Sequence, residues 1–114
     1  AQAARILQDA YDVQEAGAFM VVLECVPAKL AALISEKLAI PTIGIGAGEG
    51  CDGQVLVYQD MLGMFQDYVP KFVKHFANAQ AFRDYDQEVK AGTYPTEAHG
   101  FKIEEEIIEK LKEK

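Results

Sequence analysis

The stretch VVLECVP, Val21 to Pro27, runs three aliphatic residues into a carboxylate, a thiol, a valine and a proline. In α/β proteins, sites gather at the carboxyl ends of parallel strands. A glutamate there, closing an apolar run, can have its pKa raised by partial desolvation and can then act as a general base near neutral pH. Glu24 has the type and the position for that chemistry. A carboxylate that simply meets water where a strand stops would have the same sequence, and position alone leaves both readings open.

The second stretch is GIGAGEG, Gly44 to Gly50. Glycines let backbone approach a ligand closely or let neighbouring elements pack tightly. Gly44, Gly46 and Gly48 alternate, whereas the dinucleotide fingerprint G-x-G-x-x-G places its third glycine at another offset and needs a long helix after it. The readings that remain are tight packing and a phosphate site of the kind found at the late strands of barrels. His75, in KFVKHF, reads as a helix-surface or packing residue, and His99, in EAHGF, as a partner of loop backbone. Asp52 and Asp60 have the look of turn and cap residues. Cys25 and Cys51 lie far apart in no metal-type spacing and read as two reduced thiols of a cytoplasmic protein. Acids and histidines do not cluster as metal ligands do, so no metal ligand is assigned in this chain. No G-x-S-x-G nucleophile motif occurs.

These residues need elements to hold them. AQAARILQDAYDVQEAG reads as a helix with Ile6, Leu7, Ala10 and Tyr11 on one face, Val13 near its edge and Gly17 as its C-terminal cap. It is helical from its first residues, which points to a piece of something longer. AFMVVLE follows as a strand of about six residues. Its apolar run is continuous, as suits a strand covered on both faces in a parallel sheet. Pro27 fits the first position of the next helix, whose buried stripe is Leu30, Leu33, Ile34 and Leu38. TIGIGAG is a second strand, and the segment before it is long enough for a right-handed helical crossover. QVLVY, Gln54 to Tyr58, is a third. Only EGCDG separates it from the second, too short for a full crossover. On spacing alone the DG pair suggests an antiparallel hairpin, and a parallel return requires a one-turn connection.

After Tyr58, QDMLGMF reads as a turn or helical stub, and Pro70 opens a brief helix carrying Phe72, Val73 and Phe76. Asn78 caps a longer helix with Ala81, Phe82, Tyr85 and Val89 on one face and Gly92 at its end. TYPTEAHGF is a structured loop. KIEEEIIEKLKEK is an amphipathic helix with Ile103, Ile107 and Leu111 at four-residue spacing. Its acids Glu104 to Glu106 come early and Lys110, Lys112 and Lys114 late, matching the helix dipole. Its apolar stripe is expected to dock on a neighbouring subunit. The fold class is α/β, with residues 1–101 as one unit and 102–114 as the terminal helix.

The chain of 114 residues suits one compact domain. A formal charge of −7 argues against nucleic acid or an anionic membrane as partner. No apolar run is long enough to span a bilayer, and no signal-peptide pattern opens the sequence. A (β/α)8 barrel takes about 250 residues, so the content here is that of the last part of such a barrel plus C-terminal helices. Three strands cannot close, and exposed edges invite association. Alone, the chain is expected to be marginal or associated.

Five motifs in order, VLECVP, IPTIGIGAG, CDGQVLV, VPKFVKHF and YPTEAHGF, give this sequence a specific resemblance. Nearly the whole chain up to Phe101 resembles the 3-methyl-2-oxobutanoate (ketopantoate) hydroxymethyltransferase family. The resemblance implies the C-terminal part of a (β/α)8 TIM-type barrel with additional C-terminal helices, and a parallel return between the second and third strands. It implies Glu24 as general base. Ile43 and Ile45 would form an apolar substrate wall, and Gly46 would let the substrate approach. The reaction implied is transfer of a one-carbon unit from 5,10-methylenetetrahydrofolate to 3-methyl-2-oxobutanoate in pantothenate synthesis. Mg²⁺ is implied as cofactor, with its ligands in the barrel's first half, which is absent here. Partners implied are the ketoacid, the folate, the remainder of the barrel and further copies in a cytoplasmic homo-oligomer, often a decamer. The chain alone is expected to be inactive. Two other classes compete: a non-catalytic half-barrel assembly module, and a different barrel enzyme with a phosphate site at the glycine-rich strand.

Overall fold

The computed structural model describes residues 2–65, 67–76 and 80–113. The elements run α1 (Gln2–Glu15), β1 (Val21–Glu24), α2 (Ala28–Lys37), β2 (Thr42–Ile45), β3 (Gly53–Gln54), α3 (Tyr58–Met61), α4 (Ala81–Ala91), a 3₁₀ turn (Glu97–His99) and α5 (Glu105–Lys112). The three strands form one sheet in the order β1-β2-β3, and both pairings are parallel. The chain is therefore mixed α/β with a small parallel sheet, and the antiparallel alternative at the DG pair is set aside.

One core lies between the sheet and three helices. Leu7 and Ala10 of α1, Leu30, Leu33 and Ile34 of α2, and Leu23 of β1 are buried together with Ile108 and Leu111 of α5. A second core gathers Leu56, Met61, Phe72, Val73, Phe76 and Ala81, with Ile45, Tyr85 and Phe101 packed against it. Tyr94 closes on this group: its hydroxyl donates to the Phe72 carbonyl at 2.9 Å, and its ring meets Phe76 edge-on at 5.9 Å. Such aromatic pairs prefer edge-to-face contact because of their quadrupoles.

Several expectations change. β1 is covered by helices on one face only: Leu23 is buried, but Val22 is 56% exposed. QVLVY pairs only at its start. The amide of Val55 donates to Gly44 O at 3.0 Å, and the helix α3 has already begun at Tyr58. Pro27 sits at the N-cap of α2 rather than inside it. Pro70 opens a single turn, closed by Val73 N–H to Pro70 O, and Phe72, Val73 and Phe76 are buried without a helix. On α4, Phe82 points to solvent, whereas the Gly92 cap is in the left-handed region as expected. On α5 the buried pair is Ile108 and Leu111, with Ile107 exposed. That face docks on this chain's own α1–α2 core. Asn78 and Lys114 lie outside the described residues.

Candidate functional site

In register, Val22 lies opposite Ile43, Leu23 opposite Gly44, and Glu24 opposite Ile45. Side chains alternate across a strand and paired residues share a face. Leu23 is in the helix-covered core, and Thr42 is held by Ser35 of α2, with the two hydroxyl oxygens 2.6 Å apart. Val22, Glu24, Ile43 and Ile45 therefore occupy the other face, where Val22 and Glu24 are exposed while Ile45 packs against the second core. Glu24 stands at the carboxyl end of that face. It is exposed and forms no side-chain hydrogen bond or ion pair with the described residues. The structure thus brings together Glu24, Ile43 and Ile45 from the sequence-based candidates.

The glycine-rich stretch is explained by close approach. Gly46 has φ +64°, and a Cβ there would lie 2.6 Å from the Phe72 ring. A Cβ at Gly48 would lie 2.5 Å from Cβ of Ala28, and one at Gly50 2.6 Å from Cβ of Ala32. Ala28 and Ala32 are one helical turn apart on α2, so the loop after β2 lies flat along that helix. Ile45 and Gly46 abut the second core through Phe72, while Ile43 lies across Gly53, where a Cβ would be 2.9 Å from its Cδ1.

Asp52 holds the short β2–β3 link. Its carboxylate accepts the Thr42 amide at 2.8 Å and the Thr42 hydroxyl at 3.0 Å. Thr42 is fully buried at the amino end of β2. This clasp returns the chain to the start of β2, which makes the parallel pairing feasible over so few residues. It is a long-range bond that spacing does not reveal.

Both thiols are free. Partial desolvation, then the Glu24 carboxylate, pushes the Cys25 thiol up from its ordinary value. Cys51 is pushed up by burial, opposed by hydrogen bonds to Ser35 and Thr42. Both are protonated at neutral pH and are weak nucleophiles. His99 has its Nδ1 3.1 Å from the Thr96 amide, which donates to it. Burial and the Lys74 charge lower its pKa. His75 packs against Gly63, and Asp60 is a residue of α3. Among the described residues no group of three or more His, Cys, Asp or Glu could hold a metal ion, and no helix is long and apolar enough to cross a membrane.

A cleft of about 440 Å³ opens beside the N-terminus of α2, between Gly48 and the segment Gly100–Ile103. Glu24, Ile43, Ile45 and Gly46 do not line it. Its lysines are engaged: Lys29 with Glu105, and Lys102 with Glu97 at 3.4 Å.

The family model described as ketopantoate hydroxymethyltransferase matches residues 1–97. The chain belongs to the ketopantoate hydroxymethyltransferase family. It is 57% identical over 96% of its length to a 3-methyl-2-oxobutanoate hydroxymethyltransferase of Clostridium novyi (strain NT). It is 59% identical, again over 96% of its length, to the protein of that name from Enterococcus faecalis (strain ATCC 700802 / V583). The chain spans 42% of the length of each of these two relatives. For a ketopantoate hydroxymethyltransferase segment, the informative features are the sheet face carrying Glu24 and the residues that shape it. Three of those features went unread in the sequence: the Asp52–Thr42 clasp, the seat of Phe72 on Gly46, and the left-handed backbone of Cys25. Only the alternating glycines hinted at any of them.

Proposed function

We propose that this chain is the C-terminal part of a (β/α)8 barrel that transfers a one-carbon unit to 3-methyl-2-oxobutanoate, with Glu24 as general base. The observation that carries the reading is the register Glu24↔Ile45, which puts an exposed acid at the carboxyl end of a parallel strand, on the face opposite the α1–α2 core. Barrel enzymes place their chemistry at that end. Family membership supplies the reaction class.

The carboxylate takes the C3 proton of the ketoacid, leaving an enolate. The enolate carbon attacks the one-carbon unit of 5,10-methylenetetrahydrofolate. A carbon–carbon bond forms, both bonds from that carbon to the two folate nitrogens break, and water supplies the hydroxyl of ketopantoate, the C3 proton and the remaining proton of water ending on the two nitrogens. Ile43 and Ile45 offer an apolar wall for the isopropyl group. Gly46, with Phe72 seated on it, closes that wall. The family resemblance implies Mg²⁺, but the described residues do not fit such an ion. Its ligands are assigned to polypeptide outside this chain, as is the cover of the sheet face carrying Glu24. Assembly with further copies and a cytoplasmic setting belong to the same reading.

The test is exchange of the C3 hydrogen of 3-methyl-2-oxobutanoate with deuterated solvent, followed by NMR, in a full-length polypeptide carrying this segment. Glu24→Gln should keep the fold and slow exchange by about 10²- to 10⁴-fold, the usual worth of a positioned base. Exchange at the wild-type rate removes Glu24 from that role.

A further inference from the structure

Glu24 is followed by Cys25, whose φ of 54° makes it the one non-glycine residue with positive φ among the described residues. That region crowds the Cβ of L-residues, and chains keep a residue there only when the surroundings over-determine it. Here they do. The Cys25 amide donates to Ile45 O at 2.9 Å, continuing the β1–β2 pairing by one bond. Two residues on, Pro27 at φ −50°, ψ 132° fixes the entry into α2. The chain therefore leaves the sheet at Cys25 and swings to the helix-covered side, while Glu24 stays on the opposite side. The thiol itself is exposed and makes no hydrogen bond with the described residues.

We infer that Cys25 is a positioning residue, whose left-handed backbone, and not its sulfur, aims the Glu24 carboxylate. The inference rests on the proposed role of Glu24 as base. The backbone requirement and the thiol separate by substitution. Alanine removes sulfur and still reaches the conformation, and asparagine favours it. Valine, branched at Cβ, is excluded from it.

The experiment measures the C3 hydrogen exchange rate and ketoacid affinity in a full-length polypeptide carrying this segment, for Cys25→Ala, Cys25→Asn, Cys25→Val and Glu24→Gln. The expected result is exchange within about threefold of wild type for alanine and asparagine. Valine should lose about tenfold or more, equivalent to one factor of ten in barrier, with ketoacid Kd unchanged. Wild-type exchange in a folded Cys25→Val protein overturns the inference, as does a tenfold loss in either the alanine or the asparagine variant. Should the valine variant not fold, the alanine and asparagine rates decide alone. If Glu24→Gln retains exchange, the base assignment fails and this inference with it. If Glu24→Gln loses exchange and Cys25→Val does not, the inference alone fails.

Discussion

Replacing Asp52 with alanine should loosen the sheet at its amino end, and the structure sets the size of the effect. The Asp52 carboxylate accepts two bonds from Thr42, one from the amide at 2.8 Å and one from the hydroxyl at 3.0 Å. The hydroxyl keeps other partners, since Ser35 Oγ is 2.6 Å away and the amide of residue 52 donates to it at 3.2 Å. The Thr42 amide is thus the group left bare, at a residue that is fully buried. An unsatisfied buried donor costs about 1–3 kcal/mol. The Asp52 side is exposed, so water partly replaces the carboxylate, and about 2 kcal/mol is expected. With a urea slope of about 1.5 kcal/mol/M for a chain of this size, the midpoint should fall by roughly 1 M. Asp52→Asn keeps an acceptor oxygen and should lose about half as much. Urea titration by far-ultraviolet circular dichroism measures the midpoints, and amide exchange at Thr42 locates the loosening. A shift under about 0.3 M for Asp52→Ala, with Thr42 protection unchanged, would refute the clasp as the element that holds the parallel return.

Gly46→Ala combines a left-handed φ of 64° with a Cβ placed 2.6 Å from a buried ring. It should cost about 2–4 kcal/mol, read by thermal melting, and a second change of Phe72 to leucine should recover part of the loss. Burial first, then the charges on Tyr85 and Glu88, pushes the Tyr94 phenol up to about 12. Because the folded value exceeds the ordinary 10, the unfolded state releases the proton first. Stability is full below pH 10 and is lost between about pH 10 and 12. Tyr94→Phe should flatten that alkaline limb in melts collected across pH. The 114-residue chain by itself should show no turnover of ketoacid and 5,10-methylenetetrahydrofolate, and clear product formation would end the claim that the cation-holding wall lies elsewhere.

What the sequence disclosed follows from which forces are local. The stripes of α1 and α2 were readable because Leu7, Ala10, Leu30 and Ile34 recur at the helical period and are buried at those positions. On α5 the same counting slipped. Ile103 and Leu111 do pack on the core, but the helix begins only at Glu105 after an extended Glu104, so Ile108 rather than Ile107 turns inward between them. Pro70 promised a helix from local rules. The segment instead lays Phe72 and Phe76 into a core built by residues far along the chain, with Phe76 N–H reaching Met61 O at 2.7 Å. The parallel direction of β3, implied by the family resemblance, was out of reach of local spacing alone, because the DG pair is a local signal and the Thr42–Asp52 bonds that override it join residues ten apart. The site divides in the same way. Glu24 was legible as an acid ending an apolar run, whereas its face follows from register with Ile45 and the strain beside it from a backbone angle.

In the proposed reading, the face that carries Glu24 needs a cover before its strand end can act as a catalyst. Parallel sheets are normally covered on both sides, and here the side carrying Glu24 is covered only near Ile45, leaving Val22 and Val55 about half exposed. An acid on an uncovered face shares its charge with water, and the proposed substrate would bind there with water on its open side. Covering that face does two things at once: it buries the valines, and it removes the solvent that competes with the acid for the C3 proton. In the proposed reading, folding energy and catalytic power thus come from the same missing wall. Substitutions that make Val22 polar should then lower both stability and exchange in a full-length polypeptide, although Val22 touches no proton in the reaction. Loss of stability without loss of exchange would separate the two and leave the sheet face a structural seam only.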